Sequence, residues 1–264
     1  MNHTLFLIFM RIVAGIRTSI EKIGCVGTLF KILNYPFVVI SRGLRERTLS
    51  ALPSSEARFT WIYRENYWQS DESKSGTGST LAYTANLREK LPDLFRRYSI
   101  KSVFDAPCGD FNWMCELLRT LDIEYTGADI VEPLIDWLNK RYGGPRKKFV
   151  HLDIVASRLP RADLMICRDC LFHLSYADTR AVLENFVASG TPYLLTTTHR
   201  NDGSFKNHDI QTGFYRRIDL TATPYNLSAS PLARIDDWVA PDPEREMCLW
   251  SREQVAEVLK MNGG

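Results

Sequence analysis

The acids Asp105 and Asp129 each end a predicted strand, and a glycine-containing turn follows the first of them. Residues 102–106 are predicted as a buried strand and residues 107–110 as a tight turn that leads into a helix. Gly109 allows backbone N–H groups to approach a ligand, and the start of the helix favours negative or polar ligand groups. Asp105 lies at the carboxyl end of its strand, where open α/β sheets bind their ligands.

Asp129 ends the second predicted strand, residues 125–129, some two dozen residues after Asp105. An acid at that position of a βαβ unit is the usual partner of a ribose diol. The turn has a single glycine, Gly109, and lacks the G-x-G-x-x-G spacing of a dinucleotide site, which argues against a nicotinamide or flavin pyrophosphate. A strand–glycine–helix turn also occurs in α/β proteins that bind nothing there, so the residues alone leave both interpretations open.

Acidic and imidazole side chains recur at the ends of strands four and five. Asp169 and His173 follow the fourth predicted strand, and His199 follows the fifth. Histidine, with an unperturbed pKa near ~6.5, suits removal of a hydroxyl proton around neutral pH. His173 is therefore the first candidate for a general base, with Asp169 as a second base or as the group that orients an imidazole. The alternatives are that His173 packs on the next helix and that Asp169 pairs with Arg168.

Cysteines and acids provide little support for a metal site. Cys167 and Cys170 form a C-x-x-C, but no second ligand pair has the spacing that zinc requires. The six cysteines are interpreted as reduced thiols of a cytoplasmic protein. Asp169, His199 and Asp209 are candidate ligands of a divalent metal if the fold brings them together; the use of a metal is left open, and no metal ligand is assigned.

The run D-A-P-C-G-D at Asp105–Asp110 resembles the first motif of class I S-adenosylmethionine-dependent methyltransferases. The chain is most similar to a bacterial-type subgroup with three motifs: S-x-S-G-x-G-S, D-A-P-C-G-D-F-x-W and C-R-D-C-L-x-H-L. They occur here at Ser73–Ser79, Asp105–Trp113 and Cys167–Leu174. The resemblance covers roughly residues 60–250, and it departs from the wider family at Pro107 and Phe111, where glycines are usual.

The resemblance implies S-adenosyl-L-methionine as cofactor and in-line transfer of its activated methyl group. Asp153 would then contact the adenine amino group, or would cap a turn. Arg88 would reach the carboxylate of the cofactor, or would be a solvated surface arginine. The predicted cofactor-binding residues are Asp105, Pro107, Cys108, Gly109, Trp113, Asp129, Ile130, Asp153, Ile154, Arg168, Gly76 and Arg88.

Hydrophobic spacing predicts the elements before the first strand. The aromatic-rich residues 59–68 are predicted as a helix. Residues 69–79 form a loop that is either a linker or, by the resemblance, a cover over the cofactor. A helix over about residues 81–98 follows, which Pro92 breaks or kinks.

Further strands are predicted at residues 148–152, 163–167 and 193–198. The capping box Ser175-x-x-Asp178 begins the helix between the last two. Residues 201–227 are predicted as a long loop, and long loops in compact domains are often functional.

Two strands complete the predicted sheet, at residues 246–250 and near residues 215–220, and a terminal helix covers residues 251–261. The predicted fold class is α/β: a doubly wound, mostly parallel, Rossmann-like methyltransferase sheet with a helical N-terminal extension. The extension comprises residues 1–48, and the methyltransferase domain comprises residues 49–264.

Residues 1–48 contain seven Lys and Arg residues and two acids. None of their apolar runs reaches the ~18 residues of a spanning helix, and the pattern of a signal peptide is absent. The segment is interpreted either as a basic amphipathic stretch that lies on a membrane surface or as a helical extension that packs on the domain or a partner.

The acceptor is less constrained than the donor. A net charge of +2 without a basic stripe argues against a nucleic acid, and the N-P-P-Y signature of adenine or amide methylation is missing. A hydroxyl of a small molecule or glycan is the predicted acceptor. The alternatives are a nicotinamide oxidoreductase on the same fold and a non-catalytic, membrane-associated scaffold, and the oligomeric state is left open.

Overall fold

The computed structural model describes residues 43–261, and the chain divides into two units, Met1–Leu52 and Pro53–Gly264. Residues 43–51 of the first unit are helical. No helix among the described residues is long and apolar enough to cross a membrane. Residues 1–42 of the predicted extension lie outside the described residues, so both interpretations of that segment stay predictions.

The second unit is built on a seven-stranded sheet with the order β3-β2-β1-β4-β5-β7-β6, in which β7 runs antiparallel to both of its neighbours. The other neighbouring pairs are parallel. This confirms the predicted mostly parallel α/β sheet. The strands are β1 Ser102–Asp105, β2 Glu124–Asp129, β3 Lys147–His151, β4 Leu164–Cys167, β5 Tyr193–His199, β6 Ala233–Asp236 and β7 Arg245–Ser251.

Helices cover both faces of the sheet, which makes the central strands apolar on both sides. In β4, Leu164 and Ile166 belong to one core cluster, while Met165 and Cys167 belong to the other. Helices α2, α3 and α4 contribute to the first cluster, and α5 and α6 to the second. The helices are α1 Ser55–Arg64, α2 Ala85–Arg97, α3 Asn112–Leu117, α4 Glu132–Tyr142, α5 Tyr176–Ser189 and α6 Arg252–Met261.

Helix α2 continues through Pro92, so the predicted break is wrong. An interior proline costs about 3 kcal/mol, whereas each fully buried large apolar side chain contributes about 1.5–3 kcal/mol. Leu87 and Leu91 precede the proline and Leu94 and Phe95 follow it, and all four are buried in the first core cluster. Burial on both sides of Pro92 therefore outweighs the lost backbone hydrogen bond.

The strand predicted near residues 215–220 is not formed, and the edge strand β6 lies later in the chain. Residues 215–220 instead run beside the end of β5. The backbone N–H of Ile218 donates to Nδ1 of His199 at 3.2 Å, and that of Leu220 donates to Oγ1 of Thr198 at 3.0 Å. A single backbone bond joins the segment to β5, from the His199 N–H to the Ile218 carbonyl at 2.7 Å. Because side chains accept the other two bonds, the segment is buried without forming a ladder.

Candidate active site

Asp105 lies at the carboxyl end of β1, between the ends of β2 and β4. Its Oδ2 accepts a hydrogen bond from the Tyr125 hydroxyl at 2.7 Å, and its Oδ1 has no hydrogen-bond donor among the described residues. The side chain is buried yet lines the main cavity. Burial raises the pKa of Asp105 to about 7, although the bond from Tyr125 opposes this. A buried carboxylate with one open oxygen is suited to a cationic or donating ligand group.

Asp129, at the end of β2, is joined to the turn after β1. Its carboxylate accepts from the backbone N–H of Gly109 at 3.2 Å and from that of Val131 at 3.0 Å. Burial raises the pKa of Asp129 to about 6, while these backbone bonds oppose the rise. Each carboxylate oxygen uses one acceptor position on the protein and keeps another for a ligand.

Residues 69–79, here named the serine loop, pack on that turn and are anchored by Asp110. The Asp110 carboxylate accepts from Oγ of Ser73 at 3.0 Å, from the backbone N–H of Lys74 at 2.8 Å and from Oγ of Ser75 at 3.3 Å. Gly109 adopts φ +53°, and a Cβ there would lie 2.3 Å from Oγ of Ser75. The glycine therefore permits the close approach of the loop, and the loop is held by side chains as well as by its own backbone.

Asp169 follows β4 and is held between two arginines. Its Oδ2 lies 3.0 Å from Nη2 of Arg245 and 3.4 Å from Nη1 of Arg168. Burial favours the neutral acid, but Arg168 and Arg245 together hold the pKa of Asp169 below its usual range. Asp169 also adopts φ +50°, the left-handed region that non-glycine residues seldom occupy and that is enriched at functional sites. Such an ion-paired carboxylate is a weak proton acceptor.

Arg168 is itself fixed from the other side. Its guanidinium donates to both oxygens of Asp237, at 2.8 and 2.9 Å, and to the backbone carbonyl of Gly78 at 2.7 Å. Both charged side chains of this bidentate pair are buried. The pair ties the end of β4 to the serine loop and to the segment after β6.

His173 presents one ring nitrogen to the protein and leaves the other open. Its Nδ1 lies 2.9 Å from the Phe214 carbonyl oxygen, which can only accept, so Nδ1 carries the proton of the neutral ring. The lone pair is then on Nε2, which forms no hydrogen bond to the described residues. Burial lowers the pKa of His173 below its usual value. Because the residue lines the cavity, this nitrogen is suited to accept a proton from a bound molecule.

His199 has a different environment. Its Nδ1 accepts from the Ile218 backbone, and its Nε2 lies 3.4 Å from the Tyr215 hydroxyl. The side chain is buried, and burial together with the Arg245 charge lowers its pKa to about 4. His199 is not among the residues that line the cavity. The structure gives it the role of holding residues 215–220 against β5.

The long loop, residues 201–227, encloses His173 through backbone contacts. The N–H of Gly213 donates to the His173 carbonyl at 2.8 Å, and that of Arg216 donates to the Phe172 carbonyl at 3.1 Å. Arg216 is buried, and its guanidinium donates to the His208 carbonyl at 2.9 Å and to the Tyr225 hydroxyl at 2.6 Å. A buried arginine therefore organises the loop that supplies the Phe214 carbonyl to the histidine.

These groups meet in one cavity, part of which is open to solvent. Of the predicted site residues, the structure brings twelve to the cavity wall: Asp105, Pro107, Cys108, Gly109, Trp113, Asp129, Ile130, Asp153, Ile154, Arg168, Asp169 and His173.

Gly76, Arg88 and His199 are the predicted site residues that lie elsewhere. Gly76, at φ +96°, supports Trp68, because a Cβ there would lie 3.1 Å from the Trp68 Cβ. Arg88 turns back and donates from Nη2 to the Leu81 carbonyl at 2.8 Å. Asp153 lines the cavity and also caps a turn, since its Oδ1 accepts from the Val155 N–H at 2.8 Å.

The sequence interpretation missed several residues of the cavity wall. The aromatic-rich residues 59–68 are predicted only as a helix, and Lys74 of the serine motif is not among the predicted site residues. The Nζ atom of Lys74 lies 4.8 Å from the centre of the Tyr63 ring. The missed wall residues include Phe59, Tyr63, Trp68, Lys74, Asp110 and Thr212.

The cysteines and the candidate metal ligands form no metal site in the described part of the chain. The described residues contain five free cysteines and no group of three or more His, Cys, Asp or Glu side chains that could hold a metal ion. Within that part of the chain, Asp169, His199 and Asp209 do not form a joint ligand set.

No protein-family model matches this chain, and no curated protein matches it. Among solved structures, it is similar to 1,6-didemethyltoxoflavin-N1-methyltransferase from Burkholderia thailandensis, crystallised with S-adenosylhomocysteine, with a TM-score of 0.53 and 19% identity over 74% of this chain and 86% of that one. The N-methyltransferase NodS from Bradyrhizobium japonicum WM9 gives 0.53 and 13% over 72% and 97%. Magnesium protoporphyrin IX methyltransferase from Synechocystis PCC 6803 gives 0.51 and 12% over 72% and 93%.

The chain has the class I methyltransferase fold. The three solved structures share its Rossmann-like sheet, and their bound S-adenosylhomocysteine is the product of the donor that the sequence motifs imply. At sequence identities of 12–19%, the similarity to these structures concerns the fold alone.

Proposed function

We propose that this chain transfers a methyl group from S-adenosylmethionine to a hydroxyl of a small molecule or glycan. The observation that carries the proposal is the arrangement of the cavity. Three acids at the ends of successive strands, Asp105, Asp129 and Asp153, share one cavity with the open Nε2 of His173.

The donor set fits the polar groups of S-adenosylmethionine. The open oxygen of Asp105 would accept from the ammonium group, Asp129 would accept from the ribose hydroxyls, and Asp153 would accept from the adenine amino group. Lys74 lines the cavity and Arg88 does not, which makes Lys74 the better partner for the carboxylate. When bound, the donor supplies a methyl group that its sulfonium has already activated.

The chain then has two tasks, which are to align the acceptor and to take its proton. His173 performs the second, because the Phe214 carbonyl keeps the proton of the neutral ring on Nδ1. Asp169 is less suited, since its two arginine partners hold it in the charged form. Electrostatically, the negative charge of Asp169 stabilises the imidazolium that forms.

Calorimetry with S-adenosylhomocysteine and a methyl-transfer screen with labelled donor test the proposal. His173→Ala should keep donor binding and lose roughly 10²–10⁴-fold in rate, the usual range for a general base. Near-full turnover of that variant would remove His173 from the mechanism. Binding of a nicotinamide dinucleotide in place of the donor would favour an oxidoreductase, and donor binding without transfer to any acceptor would favour a non-catalytic scaffold.

A further inference from the structure

The wall of the cavity beside His173 is aromatic. The Trp68 ring, which lines the cavity, has its centre 5.7 Å from that of His173 at an interplanar angle of 39°. Behind His173, the centres of the Phe172 and Tyr215 rings lie at 4.6 and 5.9 Å. The imidazole is thus embedded among flat rings, and Trp68 offers a surface on which another ring can stack.

The polar groups near His173 are already bonded. Thr212, which lines the cavity, accepts from the Ser175 backbone N–H at 2.9 Å through its hydroxyl and donates the hydroxyl proton to Asp178. Asp169 is paired with Arg168 and Arg245. A sugar would lose its hydrogen bonds to water without replacement here, and an ammonium group would meet no unpaired carboxylate among the described residues around His173.

We infer that the acceptor is a phenol, whose ring stacks on Trp68 and whose hydroxyl meets Nε2 of His173. This inference rests on the proposed function and narrows its acceptor from hydroxyl compounds in general to aromatic ones. An uncharged, planar molecule can stack on the aromatic wall and needs no hydrogen bond from the neighbouring polar groups, which are already bonded to the protein.

The proton chemistry agrees with this choice. A phenol ionises near pH ~10, as tyrosine does, whereas an aliphatic hydroxyl resembles water at ~16. Burial makes His173 a weaker base than free imidazole, so the acidity of the acceptor matters. Proton transfer to His173 is far less uphill from a phenol than from an aliphatic hydroxyl. In the step, the phenol oxygen bonds to the methyl carbon while the carbon–sulfur bond breaks and its electrons stay on sulfur. The phenol proton goes to Nε2 and from there to solvent.

Matched acceptor pairs test the inference in the full-length protein. We would measure kcat/KM for 4-methylphenol, catechol and a flavonol, and compare them with 4-methylcyclohexanol, methyl glucoside and cyclohexylamine. The kcat/KM values of the three phenols should exceed those of the other three compounds by about 10²-fold or more. This is the lower end of the rate effect of general-base catalysis, which we expect only with the phenols. Donor binding by the wild-type protein is measured first, by calorimetry.

The stacking surface is tested with Trp68→Leu and Trp68→Phe. The leucine variant should raise the KM for the phenol about tenfold and leave the donor Kd within about twofold, and the phenylalanine variant should recover most of the loss. Trp137→Leu is the matched control, because Trp137 is 45% exposed on α4 and lies outside the cavity wall.

The experiments distinguish failure of the proposed function from failure of the phenol inference. A wild-type protein that binds no donor would overturn the proposed function and the inference together. A protein that binds donor and methylates another hydroxyl compound but no phenol, or methylates the cyclohexanol, glucoside or amine as well as the phenols, would overturn the inference alone. An unchanged phenol KM in Trp68→Leu would also overturn the stacking arrangement.

Discussion

Replacing Asp129 by asparagine is expected to weaken donor binding and to change the pH dependence of stability. The amide keeps the size of the side chain but has one acceptor oxygen, so it keeps only one of the two bonds from the Gly109 and Val131 N–H groups, which now reach different oxygens. It removes the charge that would strengthen hydrogen bonds to a ribose diol. Affinity for S-adenosylhomocysteine should fall by about 10–100-fold, which corresponds to about 1.4–2.8 kcal/mol.

The pH dependence of stability should also change. The pKa of Asp129 rises from 3.8 to about 6 in the folded protein, a shift of about two units, or about 3 kcal/mol. Because the carboxyl pKa is raised on folding, the wild-type protein loses this free energy of unfolding as pH increases from about 4 to 6, and it does not regain it at higher pH. Asparagine cannot ionise, and the bond that it loses lowers stability equally at all pH values. Relative to the wild type, the free energy of unfolding of the variant should therefore rise by about 1–3 kcal/mol between pH 4 and pH 8.

The assay combines calorimetry with urea unfolding of the full-length protein at pH 4 and pH 8. Asp136→Asn is the matched control, because this acid is exposed on α4 and outside the cavity wall. A variant that keeps its affinity, and whose free energy of unfolding relative to the wild type does not rise between pH 4 and pH 8, would refute the reasoning. Asp129 would then be a structural acceptor for the two backbone groups.

Three further predictions concern other parts of the chain. Donor affinity should increase with pH through about 7, because only ionised Asp105 attracts the ammonium group and its pKa is raised to about 7; calorimetry between pH 5.5 and 8.5 checks this, and Asp105→Asn should remove the part of the dependence near pH 7 while leaving the part near pH 6 that belongs to Asp129. Arg216→Met should lower the free energy of unfolding by about 2–4 kcal/mol in urea titrations, since methionine cannot donate to the His208 carbonyl or the Tyr225 hydroxyl. If residues 1–48 lie on a membrane, the full-length protein should bind anionic vesicles less as salt rises, and deletion of the segment should abolish this binding and leave donor binding intact. A deletion that unfolds the domain would support the packing interpretation.

Local patterns were sufficient for the parts of the fold that depend on neighbouring residues. The strand, turn and helix around Gly109 follow from apolar spacing. The start of α5 follows from Ser175, whose Oγ accepts from the Asp178 N–H at 3.1 Å. The central strands were recognisable because burial on both faces leaves long apolar runs.

The errors came from contacts between distant segments. Strand β6 has only four residues and pairs with β7 alone, so its sequence lacks an apolar run. Residues 215–220 have buried apolar side chains, as a strand would. Two of their backbone N–H groups, however, donate to side chains of β5, and the segment makes only one backbone bond with that strand. Hydrophobic spacing cannot distinguish these two kinds of burial.

The same limit applies to the cavity. The chemistry of Asp169 depends on Arg245, 76 positions away, and that of His173 depends on Phe214, 41 positions away. Asp110 anchors the serine loop by accepting a hydrogen bond from the Lys74 N–H, 36 positions away. Residue types at the strand ends predicted where the cavity lies. The sequence could not show that Asp169 is paired with arginines or that Nε2 of His173 is open, because both depend on distant residues.

The wall of the cavity comes from two kinds of backbone. Asp105 and Asp129 are fixed by the strands that they end, whereas Trp68 and Thr212 belong to connecting segments outside the sheet. Substitutions in those segments can therefore accumulate during evolution without moving the sheet. Under the proposed function, a descendant of this protein can exchange one acceptor for another through a few loop mutations and keep its donor site unchanged.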